Sequence, residues 1–238
     1  MRRLKYRDRH ATERMDDPYC DLAKLHRTYA QFQIVNRVVA GWQHTYRHQL
    51  RPVLQHDRTN TLLDIGAGGA DVTRAIARWA QRDGFALRVT AADPDDRAYS
   101  WAQQHDPDGA IEFRRALSSE LVAQGHTYDL VISNHLLHHL SDDELDGLLH
   151  DSTQLARTRV VHSDIRRSQA AYTLFSVGTL PFFPGSYIRE DGLISIRRSY
   201  TENELRAAAP TGWQVLPQRP WRNLLIYAPA KQTTPGQP

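Results

Sequence analysis

The sequence predicts an α/β fold, a mostly parallel sheet with helices on both faces, and three observations predict it. Thr61-Leu62-Leu63-Asp64-Ile65 is an apolar strand that runs into the glycine-rich bend Gly66-Ala67-Gly68-Gly69-Ala70-Asp71. Beyond the bend, Val72, Ile76, Trp79 and Ala80 recur at helical spacing, so the segment reads as strand, tight loop, helix. Farther on, Leu130, Val131 and Ile132 stand in succession, which suits a strand buried on both faces of a parallel sheet.

With 238 residues, the chain has room for one such domain and an appendage. Residues 1–20 carry Arg2, Arg3, Lys5, Arg7, Arg9 and Arg14, and are expected to be a basic, partly disordered tail. Over 21–58, Leu22, Leu25, Tyr29, Phe32, Val35 and Val39 recur three or four residues apart, an amphipathic helix that Gly41 or Pro52 interrupts. After the glycine loop and its helix, Asp83-Gly84 makes a break, and Ala86 to Ala92 reads as a second strand ending in Asp93. A carboxylate there offers two acceptors to the vicinal diol of a ribose. Asp95 and Asp96 favour the start of the next helix.

Ala110 to Arg115 is the third strand and Tyr128 to Ser133 the fourth, which opens into Asn134-His135-Leu136-Leu137-His138-His139-Leu140. Ser141-Asp142-Asp143-Glu144 then supplies a capping box. A fifth strand at Val160-Val161 leads to His162, Asp164 and Arg166. Ala170 to Thr179 is helical, whereas Tyr187 to Arg198 reads as irregular or strand-like. Thr201-Glu202-Asn203-Glu204 caps a short helix, and Gly212 to Leu216 with Leu224 to Tyr227 form an antiparallel end to the sheet. The Pro- and Gly-containing end, 231–238, is expected to be disordered.

The glycine loop is suited to a nucleotide-like ligand, because glycines at 66 and 68 let a ligand approach the main chain. Charge selects among ligands. A pyrophosphate would be repelled by Asp64 and Asp71 on either side of the loop, and the third glycine of the dinucleotide fingerprint is missing. S-adenosylmethionine, with a sulfonium, an ammonium and no phosphate, fits better.

Leu63-Asp64-Ile65-Gly66-Ala67-Gly68-Gly69, Val89-Thr90-Ala91-Ala92-Asp93-Pro94 and Tyr128 to Leu140 together resemble the motifs of class I S-adenosylmethionine-dependent methyltransferases, of the small-molecule, quinone- and polyketide-biosynthesis type. The resemblance covers about residues 60 to 165. It implies a Rossmann-like seven-stranded sheet over 59–230 and a helical cap over the active site at 21–58. The aromatic stretch at about 180–200, before the last two strands, reads either as a substrate lid or as a loop packed on the sheet edge. The resemblance also implies S-adenosyl-L-methionine as cofactor and S-adenosyl-L-homocysteine as product. The residues expected to hold it are Asp64, Gly66, Ala67, Gly68, Asp93, Pro94, Ala116, Leu117 and Asn134. Family members place adenine contacts at Ala116-Leu117, and where many have an Asp this chain has Ser118 or a backbone carbonyl. Pro94 and Arg97 are further adenine neighbours. Tyr29, Phe32, Trp42 and Tyr46 either line the substrate side or pack the cap on the domain, and Arg37 and Arg47 either meet the cofactor carboxylate or stay exposed.

Methyl transfer from a sulfonium is a direct displacement whose acceptor hydroxyl must lose a proton, and histidine is the natural base near neutrality. His139, His135 and Asp164 are the catalytic candidates, His139 first by resemblance and Asp164 as an orienter or alternative base, with His138 and His162 behind them. His135, His138 and His139 stand at i, i+3 and i+4, a spacing compatible with a metal, but none is assigned. The expected substrate is a small aromatic or phenolic metabolite of secondary metabolism, O-methylated, with C-methylation as the alternative. The formal charge of +3 permits nucleic-acid binding without demanding it. Ser133-Asn134-His135-Leu136 lacks the Asn/Asp-Pro-Pro-aromatic motif of base N-methylation, so nucleic acid is not the expected partner. A nicotinamide oxidoreductase is disfavoured by the loop. With one cysteine, no run of about twenty apolar residues and no signal core, the expectation is a soluble cytoplasmic protein, its oligomeric state open and a homodimer compatible.

Overall fold

Apolar residues on successive strands point alternately to opposite faces of the sheet, and this alternation divides the core into two layers. The computed structural model describes residues 4–180 and 182–229. Its strands are β1 (Asn60–Ile65), β2 (Leu87–Ala92), β3 (Ile111–Arg114), β4 (Tyr128–Asn134), β5 (Ala156–Ile165), β6 (Gln214–Gln218) and β7 (Arg222–Tyr227). They form one seven-stranded sheet in the order β3-β2-β1-β4-β5-β7-β6. β1 to β5 are parallel, and β7 runs antiparallel to both β5 and β6. The expected seven-stranded α/β sheet with an antiparallel end is therefore observed.

Leu63, Val131, Val160 and Leu225 face one layer, with Leu121 of α5 (Ser118–Ala123), Leu145 and Leu149 of α6 (Asp142–Leu155) and Leu205 of α9 (Glu202–Ala208). Leu62, Leu130, Ile132, Val161 and Leu224 face the other, with Ile76 and Ala80 of α3 (Asp71–Arg82) and with Trp42, Tyr46 and Leu50. The period-two pattern of a doubly covered strand sets this division. The capping boxes form as expected: Ser141 and Glu144 close the start of α6, and Thr201 and Glu204 that of α9. The Asp95 carboxylate accepts the Arg97 N–H at the start of α4 (Asp96–Gln104).

α1 (Leu22–Val35) is followed by a wider turn over 36–40, by Gly41 at φ +65°, and by α2 (Trp42–Thr45). Three expectations need correction. Residues 4–20 are not a loose tail: the Arg7 guanidinium is 7% exposed, donates to Arg198 O at 2.6 Å and to Tyr200 OH at 2.6 Å, and lies 3.8 Å from the Tyr200 ring. Glu13 is 3% exposed. Polar side chains are hidden there because the rest of the chain supplies their partners, which a local reading cannot see. Second, the segment expected to be irregular is a helix, α8 (Ile188–Arg198), packed beside α7 (Gln169–Gly178). Its buried positions, Ile188, Asp191, Ser195 and Ile196, have helical spacing, but two are polar and hide the apolar stripe. Third, β7 begins at Arg222, two residues before the expected strand, and so draws an arginine into the interior. The 231–238 tail, with Arg2 and Arg3, lies outside the described residues.

Candidate active site

At the carboxyl ends of β1, β2 and β4 the glycine loop faces a cavity of about 890 Å³, toward the upper end of the ~300–1,000 Å³ usual for small-molecule sites. Gly66, Ala67, Gly68 and Gly69 form part of its wall, with Asp71, Asp93 and Pro94 beside them. Gly66 and Gly68 have φ +66° and +53°, a region that favours glycine. The two glycines differ in what limits them. A Cβ at Gly68 meets nothing within 4 Å, whereas one at Gly66 stands 3.1 Å from a methyl of Leu136. Gly68 is thus the open position.

Asp93 is braced by two main-chain donors, Gly68 N–H at 2.8 Å and Asp95 N–H at 2.9 Å. A carboxylate has about four acceptor positions, so two stay free for a diol on the cavity side. Burial raises its pKa, and the two N–H bonds offset part of that. Asp71 also lines the cavity and accepts from Asn36 Nδ2 at 3.0 Å. Asp64 does not line it. That residue is 2% exposed and bonded to the Thr73 hydroxyl, its Oδ1 has no partner among the described residues, and burial pushes its pKa up to about 7. The carboxylates that face a ligand at the loop are therefore those of Asp71, Asp93 and Asp95, the last of them paired with Arg97.

Several expected cofactor neighbours are directed elsewhere. Ala116 packs against the core and Leu117 is 53% exposed, and neither borders the cavity. Ser118 donates to Asp151 at 2.7 Å, so it does not replace the family's adenine acceptor. Arg97 binds Asp95 and reaches Met15 O and Asp17 O of the N-terminal segment. Arg37 and Arg47 are exposed. Of the cap aromatics, Tyr29 and Phe32 line the cavity, while the ring of Tyr46 is buried in the core and its hydroxyl donates to Asp83 at the core's edge.

The other end of the cavity is built where β4 opens out. Asn134 Oδ1 accepts from Trp42 Nε1 at 2.9 Å and from Arg222 Nη2 at 2.8 Å. His135 has φ +58°, a left-handed turn that redirects its ring, and its Nε2 accepts from Arg222 Nη1 at 2.9 Å. Burial and then Arg222 hold the His135 pKa well below its ordinary value, so the ring is neutral. With Nε2 accepting, the proton sits on Nδ1, and His135 is a donor rather than a base. Arg222 is 2% exposed; burial lowers its pKa to about 10, which leaves it charged at neutrality. Sequence reasoning missed it, and a strand started at residue 222 rather than 224 would have been the signal.

Of the two roles expected of Asp164, orienter and alternative base, the geometry fits the first. The residue is buried outside the cavity wall and accepts from His138 N–H at 2.8 Å and Ile165 N–H at 2.6 Å, with His138 Nδ1 at 2.7 Å. It positions His138 and does not reach a substrate. His138 is 1% exposed with Glu13 Oε1 3.2 Å from its Nε2; burial lowers its pKa, but Asp164 and Glu13 outweigh burial and raise it to about 9. His162 lies away from the cavity between Ser133 Oγ at 2.8 Å and Ser152 Oγ at 3.1 Å, and burial lowers its pKa to about 3. His139 does border the cavity, its Nδ1 3.2 Å from Asp16 Oδ2 and its Nε2 3.7 Å from Glu13 Oε1. Ile34, Leu174, Phe175, Phe182, Phe183 and Ile196, from α1, α7, α8 and the connection between the last two, give the cavity an apolar wall.

Residues 62–167 match the family model described as a methyltransferase domain. A Rhizobium etli ubiquinone biosynthesis O-methyltransferase is 29% identical over 86 residues, 35% of this chain and 32% of that protein. A Methylobacterium relative of the same description is 30% identical over 84 residues, 34% of this chain and 31% of its own length. The matched region thus spans about a third of these relatives. Among solved structures, the CurJ carbon methyltransferase has a TM-score of 0.61 at 16% identity, covering 87% of this chain and 61% of that one. Human N-acetylserotonin methyltransferase in complex with S-adenosylmethionine has 0.60 at 14%, covering 87% and 56%. At such identities these likenesses speak to the fold.

Proposed function

We propose that this chain is a class I S-adenosylmethionine-dependent methyltransferase that transfers a methyl group from S-adenosylmethionine to a hydroxyl of a small aromatic or phenolic metabolite. One observation carries the reading: the glycine loop and Asp93 share a single cavity with His135, His139 and an apolar wall. The first end fits the cofactor. Open space in front of Gly68, free acceptor positions on Asp93 for a ribose diol and the Asp71 carboxylate for an ammonium make a cradle for a cationic, phosphate-free ligand.

When bound, S-adenosylmethionine supplies a methyl carbon on a positively charged sulfur. What the chain contributes is alignment, exclusion of water and proton handling. Holding acceptor and methyl carbon in line can contribute about 7–11 kcal/mol. Phe175, Phe183 and Ile196 suit a flat apolar acceptor and keep water from it. The His135 Nδ1–H can hold the acceptor oxygen, and His139 is the ring placed to take its proton. The O-methyltransferase description of the curated relatives supports a hydroxyl acceptor.

Calorimetric titration with S-adenosylmethionine, S-adenosylhomocysteine and NADH tests the cofactor; saturation by the first two alone is expected, and binding of NADH alone would overturn the reading. Labelled-methyl transfer to a phenol panel, with RNA as control, then tests the acceptor. Labelled product from RNA only, or carbon-bound methyl in every phenol product, rejects the hydroxyl assignment.

No helix among the described residues is long and apolar enough to cross a membrane. Of the basic residues in the N-terminal segment, Arg7 is buried, Arg9 pairs with Asp142 at 2.6 Å and Arg14 with Glu190 at 3.0 Å, so these three are poor phosphate contacts. These pairings favour a small molecule over nucleic acid as the partner.

A further inference from the structure

We propose that Glu13, His138 and His139 form a binding site for one divalent transition-metal ion whose open positions face the cavity. Glu13 precedes the turn Arg14–Asp16, and the histidines end the turn Leu137–His139 that leaves β4. All three border the cavity. Glu13 Oε1 is 3.2 Å from His138 Nε2 and 3.7 Å from His139 Nε2, and one ligand atom from each residue lies within 4.8 Å of the others. Ligands at 2.0–2.2 Å from a zinc-like ion stand roughly 3.3 Å apart at the corners of a tetrahedron, so small side-chain shifts close the site as the His138 Nε2 proton shared with Glu13 leaves to solvent.

The opposite nitrogens of the rings provide a second, independent observation. His138 Nδ1 is 2.7 Å from Asp164 Oδ1, and His139 Nδ1 is 3.2 Å from Asp16 Oδ2. A carboxylate on the far ring nitrogen is the arrangement that fixes the orientation and basicity of a metal-ligating imidazole. Here two separate segments supply one to each ring, and both Nε2 atoms converge on the same Glu13 oxygen, which Ser195 Oγ also holds at 2.8 Å. His135 does not belong to the set. Its Nε2 is taken by Arg222, and its ring is edge-on to His138 with centroids 6.3 Å apart. The i, i+3, i+4 histidine spacing therefore gives two ligands, and the third comes from the N-terminal segment.

Two imidazoles and one carboxylate suit zinc, manganese, iron or cobalt rather than calcium or magnesium, which prefer oxygen ligands. The role of the ion rests on the methyltransferase reading. An acceptor hydroxyl oxygen takes an open position, its O–H bond breaks and the proton leaves to solvent. The oxyanion then attacks the methyl carbon, and the C–S bond breaks with its electron pair going to sulfur. In this arrangement His139 is a ligand, and the ion replaces it as the group that activates the hydroxyl.

The test uses the untagged full chain, stripped with a chelator and titrated with Co²⁺. One equivalent is expected, with visible absorption bands that Zn²⁺ abolishes by displacement. Glu13→Gln and His139→Ala should each weaken binding by about 100-fold or more, and Asp16→Asn by about 10-fold. His135→Ala should leave metal affinity unchanged. Thermal unfolding checks each variant; should Glu13→Gln fail to fold, the exposed-side change Asp16→Asn decides. Sub-stoichiometric Co²⁺, or binding that Glu13→Gln, His139→Ala and Asp16→Asn do not move, overturns the proposal. S-adenosylhomocysteine binding by the stripped protein is measured alongside, so failure of the metal site and failure of the cofactor reading give different results.

Discussion

The glycine-loop end of the cavity and its histidine end differ in how the chain assembles them. Gly66, Gly68, Asp71 and Asp93 belong to one β-α-β unit, β1-α3-β2, and hydrogen bonds within that unit hold them, as when Gly68 N–H meets Asp93. The histidine end gathers Glu13 from the N-terminal segment, His135 and His139 after β4, Asp191 from α8 and Arg222 from β7. The electrostatics differ as well. Asp64 beneath the loop keeps one oxygen without a partner among the described residues, whereas Glu13 accepts from Ser195, Asp164 from His138 and Asp191 from Arg14 at the other end. One end of a cavity can thus be local in sequence while the other depends on the whole tertiary fold.

That contrast can be broken by removing the segment that only the histidine end needs. Deleting residues 1–14 takes away Glu13 and Arg7; methyl transfer should fall by about 100-fold or more, while S-adenosylhomocysteine affinity changes little in calorimetry. A comparable loss of cofactor affinity would mean that the two ends are not separable.

The next largest effect concerns Asp64. Its folded pKa of about 7 lies above the ordinary carboxylate value, so the folded state binds the extra proton between the two. Stability is then greatest below the unfolded pKa and is lost as pH rises through about 7, on the order of 4 kcal/mol over the whole range. Asp64→Asn should flatten this decline in urea-unfolding curves measured from pH 4 to pH 8. An unchanged slope would show that Asp64 is solvated or paired in solution.

Asp93→Ala should weaken S-adenosylmethionine binding by about 10- to 100-fold, the worth of hydrogen bonds to a charged group, with the fold intact by circular dichroism. Equal affinity for both proteins in calorimetry would remove Asp93 from the site. The smallest effect is expected at Ser118, where Ala should alter cofactor affinity by less than about 2-fold because loss of an exposed-helix contact is worth about 0.5 kcal/mol. A larger loss would put the adenine at the Ala116-Leu117 turn after all.

Much of the sheet was legible in the chain because apolar runs such as Leu62-Leu63 and Leu130-Val131-Ile132, and capping boxes such as Ser141 to Glu144, act over a few residues. α8 was not legible, since Asp191 and Ser195 occupy core positions and satisfy themselves on Arg14, Met15 and Glu13, partners far away in sequence. His139 could be singled out as a candidate. That His135 is a donor, His138 a charged bridge and His162 a core group could not, because each state depends on Arg222, on Glu13 with Asp164, or on Ser133 with Ser152.

By itself the sequence determined the β-α-β unit, the glycine bend, the acidic end of β2 and the layering of the sheet, since periodicity, backbone conformation and capping are local properties. Only the tertiary structure decided which carboxylates face a ligand, which imidazoles are protonated and that residues 4–20 complete the site. Protonation and exposure are set by what surrounds a group in space, and for these groups the surroundings come from the two ends of the chain.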